Sequence, residues 1–539
     1  MTGSDAVAQI LKREGTEYLF CFPTTPIIEA CARVGIRPII TRTERTLINM
    51  ADGYSRVSNG NRLGICAVQY GPGLENAFGG IAQAYADSSP ILVLPLTEYQ
   101  TFADTKPAFG AVEHFRGITK WVGMVNRRDR LPQFMRRAFT LLRTGHGAPV
   151  VVEIPRELAT GEYPSNELDY EPVPAMRTMA DPDSIESAAD LLAAARRPCI
   201  IAGQGVLYAT AARELTHLAE TLGAPVATTL MAKSAFPETH PLSLGVANRS
   251  EGIPGRVLER SDVILAIGAS LSEGLMLAPL PPNKQLIHST VNEYDISKTY
   301  PPAVPLLGDA KLVAGQLLDA LRDRPSDSDE SPRASIRREI EADRQSELER
   351  WLPVFTSDDQ PIRPYRIMWD LNNLVDRDNT IVTHDSGMPR SQFVFTYQAT
   401  APRGYIGWGN STQLGTGLGL AMGAKLAEPE KLVVNVMGDA AFGMAGMDIE
   451  SAARLRIPTL TIILNNSIMG GHDRVMPVAT ESYGSAYLSG DYAAVAADLG
   501  AYSEKVSKPG DVIPALRRGI GSTKEGIPAV LEFITAHEQ

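Results

Sequence analysis

Residues 433–471 read VVNVMGDAAFGMAGMDIESAARLRIPTLTIILNNSIMGG, and this stretch decides the fold. Residues 432–437 form an apolar, β-branched run of buried-strand length that stops at Gly438-Asp439. Small residues follow, Ala440-Ala441 and then Gly443, Ala445 and Gly446, where backbone must come close to a neighbour. Met447, Ile449, Ala452, Ala453 and Leu455 are spaced as one apolar face of a short helix, which Pro458 ends. Residues 459–464 are a second buried-strand run, closed by Asn465-Asn466. Strand, helix and strand of these lengths make one crossover unit, right-handed and with parallel strands.

Ligands of such sheets bind beyond the carboxyl ends of the strands, where Asp439 and Asn466 fall. Two oxygen side chains separated by glycine-rich backbone suit a hard cation holding a diphosphate, since magnesium takes few protein ligands and keeps substrate oxygens. Taken singly, the two features describe a helix-capping Asp and an Asn-Asn turn. The ordered set runs from Gly438-Asp439 to Asn465-Asn466, and it resembles the thiamine diphosphate motif of the acetolactate synthase and 2-oxoacid decarboxylase superfamily. The resemblance implies that Asp439 and Asn466 bind Mg2+ together with the backbone carbonyl of Ile468. It also implies that Gly438, Ala440, Ala441, Met469 and Gly470 line the diphosphate.

Outward from this motif, 539 residues predict about three domains at roughly 100–200 residues each. The net charge of −11 argues against a nucleic-acid partner, because phosphate binding needs a basic face. Residues 1–5 are polar, Lys12-Arg13 interrupts the first helix, and no apolar run is long enough to span a membrane. Neither a signal peptide nor a membrane anchor is therefore expected. Cys21, Cys31, Cys66 and Cys199 have no metal spacing and fit a reducing cytoplasm.

The amino-terminal third alternates helices with buried strands at 18–22, 38–41, 63–68, 91–94 and 149–154, which predicts a parallel sheet covered by helices. By itself, Glu44 would be a charge complementing a helix amino end. Thr43-Glu44, then residues 50–56 (MADGYSR), then Gly71-Pro72-Gly73 with Asn76 together resemble the pyrimidine-binding domain of the same superfamily. The resemblance makes Glu44 the catalytic carboxylate and Gly71, Pro72 and Asn76 cofactor contacts. There a carboxylate drives the aminopyrimidine towards its imino form, which takes the proton from the thiazolium carbon. Relatives have a glycine-rich turn where this chain has Phe22-Pro23-Thr24-Thr25-Pro26, which implies a changed substrate pocket. Thr24, Thr25, Tyr70, His114 and His472 are its candidate residues.

Residues 198–202, 226–228, 263–267 and 285–289 predict a second doubly wound unit with glycines at strand ends. In relatives this unit sometimes holds FAD or ADP. Here Thr290 and Asn292 replace the acidic pair that reads ribose hydroxyls, and Gly245-Val246-Ala247-Asn248 also departs from the flavin type. FAD or ADP is not expected. Residues 324–338 read as a polar linker and 336–351 as a charged surface helix.

In the carboxyl-terminal third, residues 380–382 and 529–534 read as the first and last strands, His384-Asp385-Ser386-Gly387 caps the first, and the resemblance makes Ser386 and Gly387 cofactor contacts. It adds Gln413, and it puts Leu414 at the wedge that bends the cofactor. Gly419 and Gly423 are expected to pack a helix tightly on the sheet. The expected fold is α/β, with three doubly wound parallel-sheet domains: a pyrimidine-binding domain at 1–170, a central Rossmann-like domain at 181–323, a linker and surface helix at 324–354, and a diphosphate-binding domain at 355–539. The expected activity makes or breaks a carbon–carbon bond next to a carbonyl, as in an acetolactate synthase-type carboligase acting on 2-oxo acids. A 2-hydroxyacyl-CoA lyase or a 2-oxoacid decarboxylase shares every motif, and a non-catalytic paralogue would lack the need for Glu44, Asp439 and Asn466. A nicotinamide oxidoreductase lacks its phosphate-loop fingerprint. The resemblance further implies self-association, at least as a homodimer, with the active site at the subunit interface.

Overall fold

A computed structural model of the protein describes residues 1–538 apart from 24, 103–104, 106–108, 251, 275–276, 323 and 325–329. Apolar, β-branched runs buried on both faces build three six-stranded sheets. The first contains β1 (Tyr18–Cys21), β2 (Arg37–Ile40), β3 (Gly64–Val68), β4 (Ile91–Thr97), β5 (Trp121–Met124) and β6 (Val150–Pro155). The second contains β7 (Pro198–Ala202), β8 (Val226–Thr228), β9 (Ser243–Val246), β10 (Val263–Ile267), β11 (Gln285–Thr290) and β12 (Val304–Leu307). The third contains β13 (Thr380–His384), β14 (Tyr405–Ile406), β15 (Leu432–Gly438), β16 (Leu460–Asn465), β17 (Tyr502–Val506) and β18 (Ala529–Ile534). Their orders are β2-β1-β3-β4-β6-β5, β12-β11-β10-β7-β8-β9 and β14-β13-β15-β16-β18-β17, and all are parallel. The α/β class with three doubly wound sheets is as the sequence predicts.

The order reverses between β1 and β3 in the first sheet and between β13 and β15 in the third. Such switch points open a crevice at the carboxyl ends of the strands. Glu44 follows β2, and Gly71 follows β3. Asp385 follows β13, Asp439 follows β15 and Asn466 follows β16. The topology therefore sorts the polar strand ends to the binding edge.

The chain forms two compact units, one of residues 1–176, 382–390 and 411–539, the other of residues 177–381 and 391–410. In the first unit the helix Glu44–Val57 is buried along its whole length except at Arg45. It packs on the helix Thr416–Ala427 through glycines. A Cβ at Gly53 would lie 2.2 Å from the Leu420 carbonyl oxygen, one at Gly419 2.6 Å from Asn49 Cβ, and one at Gly423 2.0 Å from the Met50 carbonyl oxygen. The expectation that Gly419 and Gly423 serve helix–sheet packing is thus corrected: they serve helix–helix packing. In the second unit, Lys233 is buried and donates to both carboxylate oxygens of Glu238 at 2.6 and 2.5 Å.

The charged helix expected at 336–351 is longer, Glu330–Phe355. The segment around Tyr487 is tied down, because Ile468 and Tyr487 form an antiparallel bridge. All four cysteines are free and buried, and burial pushes the thiols of Cys21, Cys31 and Cys199 up to about 12. No helix among the described residues is long and apolar enough to cross a membrane.

Candidate cofactor site

The register pairs Gly438 with Leu464, so the chain leaves β15 and β16 side by side. Asp439 is 3% exposed and opens the helix Asp439–Ala445. Its Oδ1 accepts the Ala440 N–H at 2.8 Å, and its Oδ2 accepts the Ser467 N–H at 2.9 Å, bridging the two strand ends. Burial raises its pKa, and the Ala440 and Ser467 amides oppose that rise. Asn466 Oδ1 accepts the Ile468 N–H at 3.2 Å. Ser467, between them, is left-handed at φ 58°, and its carbonyl accepts the Leu488 N–H at 2.9 Å. The Met469 N–H donates to the Ala486 carbonyl, also at 2.9 Å. Gly438 caps the helix, Ala441 is buried, and Ala440 and Gly470 lie nearer the surface. Asp439, Asn466 and Ile468 are thus brought together. Among the described residues no group of three His, Cys, Asp or Glu side chains could hold a metal. The available donors are one carboxylate, one amide oxygen and one backbone carbonyl, the hard-oxygen set that suits magnesium on a diphosphate.

Glu44 opens the Glu44–Val57 helix at 6% exposure, and the capping Thr43 hydroxyl accepts the Thr46 N–H. Asn76 Nδ2 donates to Glu44 Oε2 at 3.3 Å. Asn76 stands on the helix Pro72–Ala86, whose start is Gly71 at φ 55° followed by Pro72. Gly73 leaves room beside the carboxylate, since a Cβ there would sit 3.5 Å from Glu44 Oε1 and only 2.9 Å from Gln69 Cβ. The structure therefore gathers Glu44, Gly71, Pro72 and Asn76 at one place.

A third cluster surrounds Asp385, which sequence reasoning passed over as a strand end. It is fully buried. Its Oδ1 accepts the Ser386 N–H at 2.8 Å and the Gly415 N–H at 2.9 Å, and its Oδ2 accepts the Gly417 N–H at 2.8 Å. Burial pushes this carboxyl up to about 6 against those three amides. Asp385 thus ties Ser386 to the Gly415 and Gly417 amides, which follow Gln413 and Leu414 in the chain. The adjacent His384 is buried and held neutral, down to about 3. Arg45 was also missed; its Nη2 donates to the Leu414 carbonyl. The signal for Asp385 was present in the His384-Asp385-Ser386-Gly387 strand end, but none existed for Arg45.

The proposed substrate-pocket residues are scattered. Thr24 lies outside the described residues. Thr25 is buried and caps the helix Pro26–Arg33, accepting the Ile27 N–H at 3.1 Å. Tyr70 is half-buried just after β3. His114 is exposed, stacks on Phe109 with ring centroids 4.2 Å apart, and meets the Gly110 carbonyl through Nδ1 at 2.7 Å. His472 is exposed at the start of the helix His472–Val475, with Nδ1 3.1 Å from the Gly470 carbonyl.

Three family descriptions cover most of the chain. Residues 1–109 match the thiamine pyrophosphate enzyme N-terminal TPP-binding domain, 185–317 the central domain and 385–533 the C-terminal TPP-binding domain. The chain belongs to the thiamine pyrophosphate enzyme family. A probable acetolactate synthase large subunit of Methanocaldococcus jannaschii is 30% identical over 99% of this chain and 92% of its own. The acetolactate synthase isozyme 3 large subunit of Escherichia coli K12 is 30% identical over 87% of this chain and 83% of its own. A glyoxylate carboligase of Escherichia coli O157:H7 is 27% identical over 99% and 93%. As a thiamine pyrophosphate enzyme, the protein is a thiamine diphosphate-dependent enzyme.

Proposed function

We propose that the protein is a thiamine diphosphate- and Mg2+-dependent carboligase that joins 2-oxo acids at a carbonyl carbon, acting as a homodimer with its sites at the subunit interface. The observation that carries this reading is the buried Asp439 carboxylate spanning β15 and β16 beside Asn466 and Ile468. In this reading Asp439, Asn466 and the Ile468 carbonyl hold Mg2+, and Gly438, Ala440, Ala441, Met469 and Gly470 surround the diphosphate. Ser386, Gly387 and Gln413 contact the cofactor, and Leu414 shapes it. When bound, the cofactor supplies a carbon nucleophile and an electron sink for bond formation next to a carbonyl. Glu44 would hold and give up a proton at the pyrimidine ring nitrogen of a bound cofactor, with Asn76 Nδ2 fixing the carboxylate through Oε2. The division into domains at 1–170, 181–323 and 355–539 belongs to the same proposal, as does a cytoplasmic location, which the four free cysteines support.

Self-association is supported by the exposed apolar surface next to the Asn466 loop, where Val475 is 83% and Tyr483 85% exposed. The carboligase reading is supported by relatives with carboligase and synthase names along nearly the whole chain. The test incubates purified protein with thiamine diphosphate, Mg2+ and a panel of 2-oxo acids and 2-hydroxyacyl-CoA thioesters, with products identified by mass spectrometry. Condensed 2-hydroxy-3-oxo acids are expected together with one CO2 per condensation, the carboxylate of the donor 2-oxo acid being the group lost. Cleavage of the thioesters alone would replace the carboligase by a lyase, and free aldehyde alone would replace it by a decarboxylase.

A further inference from the structure

The Gln413-Leu414 turn is bracketed by two left-handed residues, Thr412 at φ 54° and Gly415 at φ 82°. A residue with a side chain holds that conformation only where its surroundings enforce it. Asp385 holds the carboxyl-terminal side of the turn, through the Gly415 and Gly417 amides at 2.9 and 2.8 Å. Gly417 has no space for a side chain, since a Cβ would lie 2.5 Å from Asn435 Oδ1 and 3.1 Å from Asp385 Oδ2. The Thr416 hydroxyl adds a bond to the Gln413 carbonyl at 3.0 Å. On the helix Pro72–Ala86, a Cβ at Gly79 would lie 2.1 Å from Gln413 Nε2, so the Gln413 amide rests directly on that backbone.

Arg45 closes the network from the Glu44–Val57 helix, donating to the Leu414 carbonyl. Its Nε is buried with no partner among the described residues. Burial works against its charge, and Asp385 favours that charge. A guanidinium kept half-desolvated for one carbonyl is costly unless that carbonyl's position matters.

We propose that Arg45 and Asp385 are a positioning pair that fixes the Gln413-Leu414 turn to the amino end of the helix carrying Glu44. The proposal rests on the reading of Leu414 and Glu44 given above. With the active site at a subunit interface, Glu44 and Leu414 of one chain face different sites, and the pair keeps the two in register.

The pair has a pH signature. Below about 6 the Asp385 carboxyl is protonated, and one oxygen turns from acceptor to donor, so an amide of the turn loses its partner. The groups facing Asp385 are the Ser386, Gly415 and Gly417 amides and the Arg45 guanidinium. Beside it, His384 stays uncharged, with Arg390 and Arg56 acting on that ring. Removing the Arg45 charge raises the pH at which Asp385 takes its proton.

Hydrogen–deuterium exchange of the full chain without cofactor, followed by mass spectrometry of the 408–418 peptide over roughly pH 5 to 8 with intrinsic rates corrected, tests the pair. In the parent, protection of the turn amides should fall as the pH drops through about 6. Arg45→Met should move that fall upward by about one pH unit and speed exchange about ten-fold at neutral pH. Arg45→Lys should restore part of the difference. With thiamine diphosphate and Mg2+ present, the acid limb of kcat should shift upward in Arg45→Met by the same amount. Protection independent of both pH and Arg45 overturns the pair, as does an acid limb that stays in place while turnover drops. If protection behaves as stated but the parent binds no thiamine diphosphate, the functional reading fails and the positioning pair stands. Arg45 is only half-buried, and a parent-like thermal midpoint of Arg45→Met and Arg45→Lys checks that these variants fold.

Discussion

At the scale of single residues, the catalytic case rests on Glu44. Glu44→Gln keeps the size of the side chain and its contact with Asn76 but removes proton exchange. Cofactor affinity should be retained, while turnover should drop about 10²–10⁴-fold. The direct measure is hydrogen–deuterium exchange at the thiazolium carbon of bound cofactor, and an unchanged rate would reduce Glu44 to a charged helix start. Under the proposed function Asp439→Ala removes a hard-oxygen ligand, and it removes one of the two acceptors of the Ser467 amide, the other being Asn465 Oδ1. Calorimetry should find Mg2+-dependent binding of thiamine diphosphate abolished, and the parent in a magnesium chelator should behave alike. Asp385 makes a prediction about stability. Its folded carboxyl sits at about 6, above its ordinary value of 3.8, so the folded chain holds this proton where the unfolded chain has released it. The stability it contributes is full below the ordinary value and is lost as the pH rises through about 6, by about 3 kcal/mol over that window. Protonation relieves the cost of burying charge even as it frees an amide of the turn. In denaturant unfolding at pH 4 and pH 7, Asp385→Asn should lack this share of the pH dependence; an identical slope would contradict it.

At the scale of elements, what the sequence showed and hid follows from burial. The strands predicted from sequence are apolar runs, and they include the central strands of all three sheets, such as β4 and β16. The strands missed were β5, β9, β12, β14 and β17, and each lies at a sheet edge. An edge strand has less to bury: β12 alternates buried and exposed residues, and β17 keeps only Val506 fully covered. β9 and β17 carry polar residues, β14 is two residues long, and the apolar runs of β5 and β12 are only four residues with Gly123 or Pro305 inside them, so none has the length that marks a buried strand. The site divides in the same way. Asp439, Asn466 and Glu44 stand at strand ends or helix starts with a readable pattern, whereas Arg45 acquires its partner only through a fold that brings residue 414 to it. The helix pair Glu44–Val57 and Thr416–Ala427 carries an element-scale prediction. Gly423→Ala puts a methyl 2.0 Å from the Met50 carbonyl, and backbone cannot give way as a side chain does. A loss of about 1–3 kcal/mol is expected, read as a lower thermal midpoint together with weaker cofactor binding. A variant as stable as the parent would mean that the two helices slide freely.

For the whole molecule, Val475, Val478 and Tyr483 are exposed apolar residues that the proposed homodimer would cover. Val478→Glu and Tyr483→Glu should shift sedimentation from dimer towards monomer, with activity lost at low protein concentration and regained at high. A parent that sediments as a monomer and is fully active would remove the interface from the mechanism. The cysteines give the molecule a different use. Cys21 and Cys66 lie in the first sheet, Cys31 in the helix Pro26–Arg33 beside it, and Cys199 in the second sheet, all sealed from water. Only thiolate reacts with alkylating reagents, so none of the four should label until its own region opens. The native chain therefore carries its own clocks. Labelling at three positions times the opening of the amino-terminal sheet, and labelling at the fourth times the central one, with no reporter engineered into either.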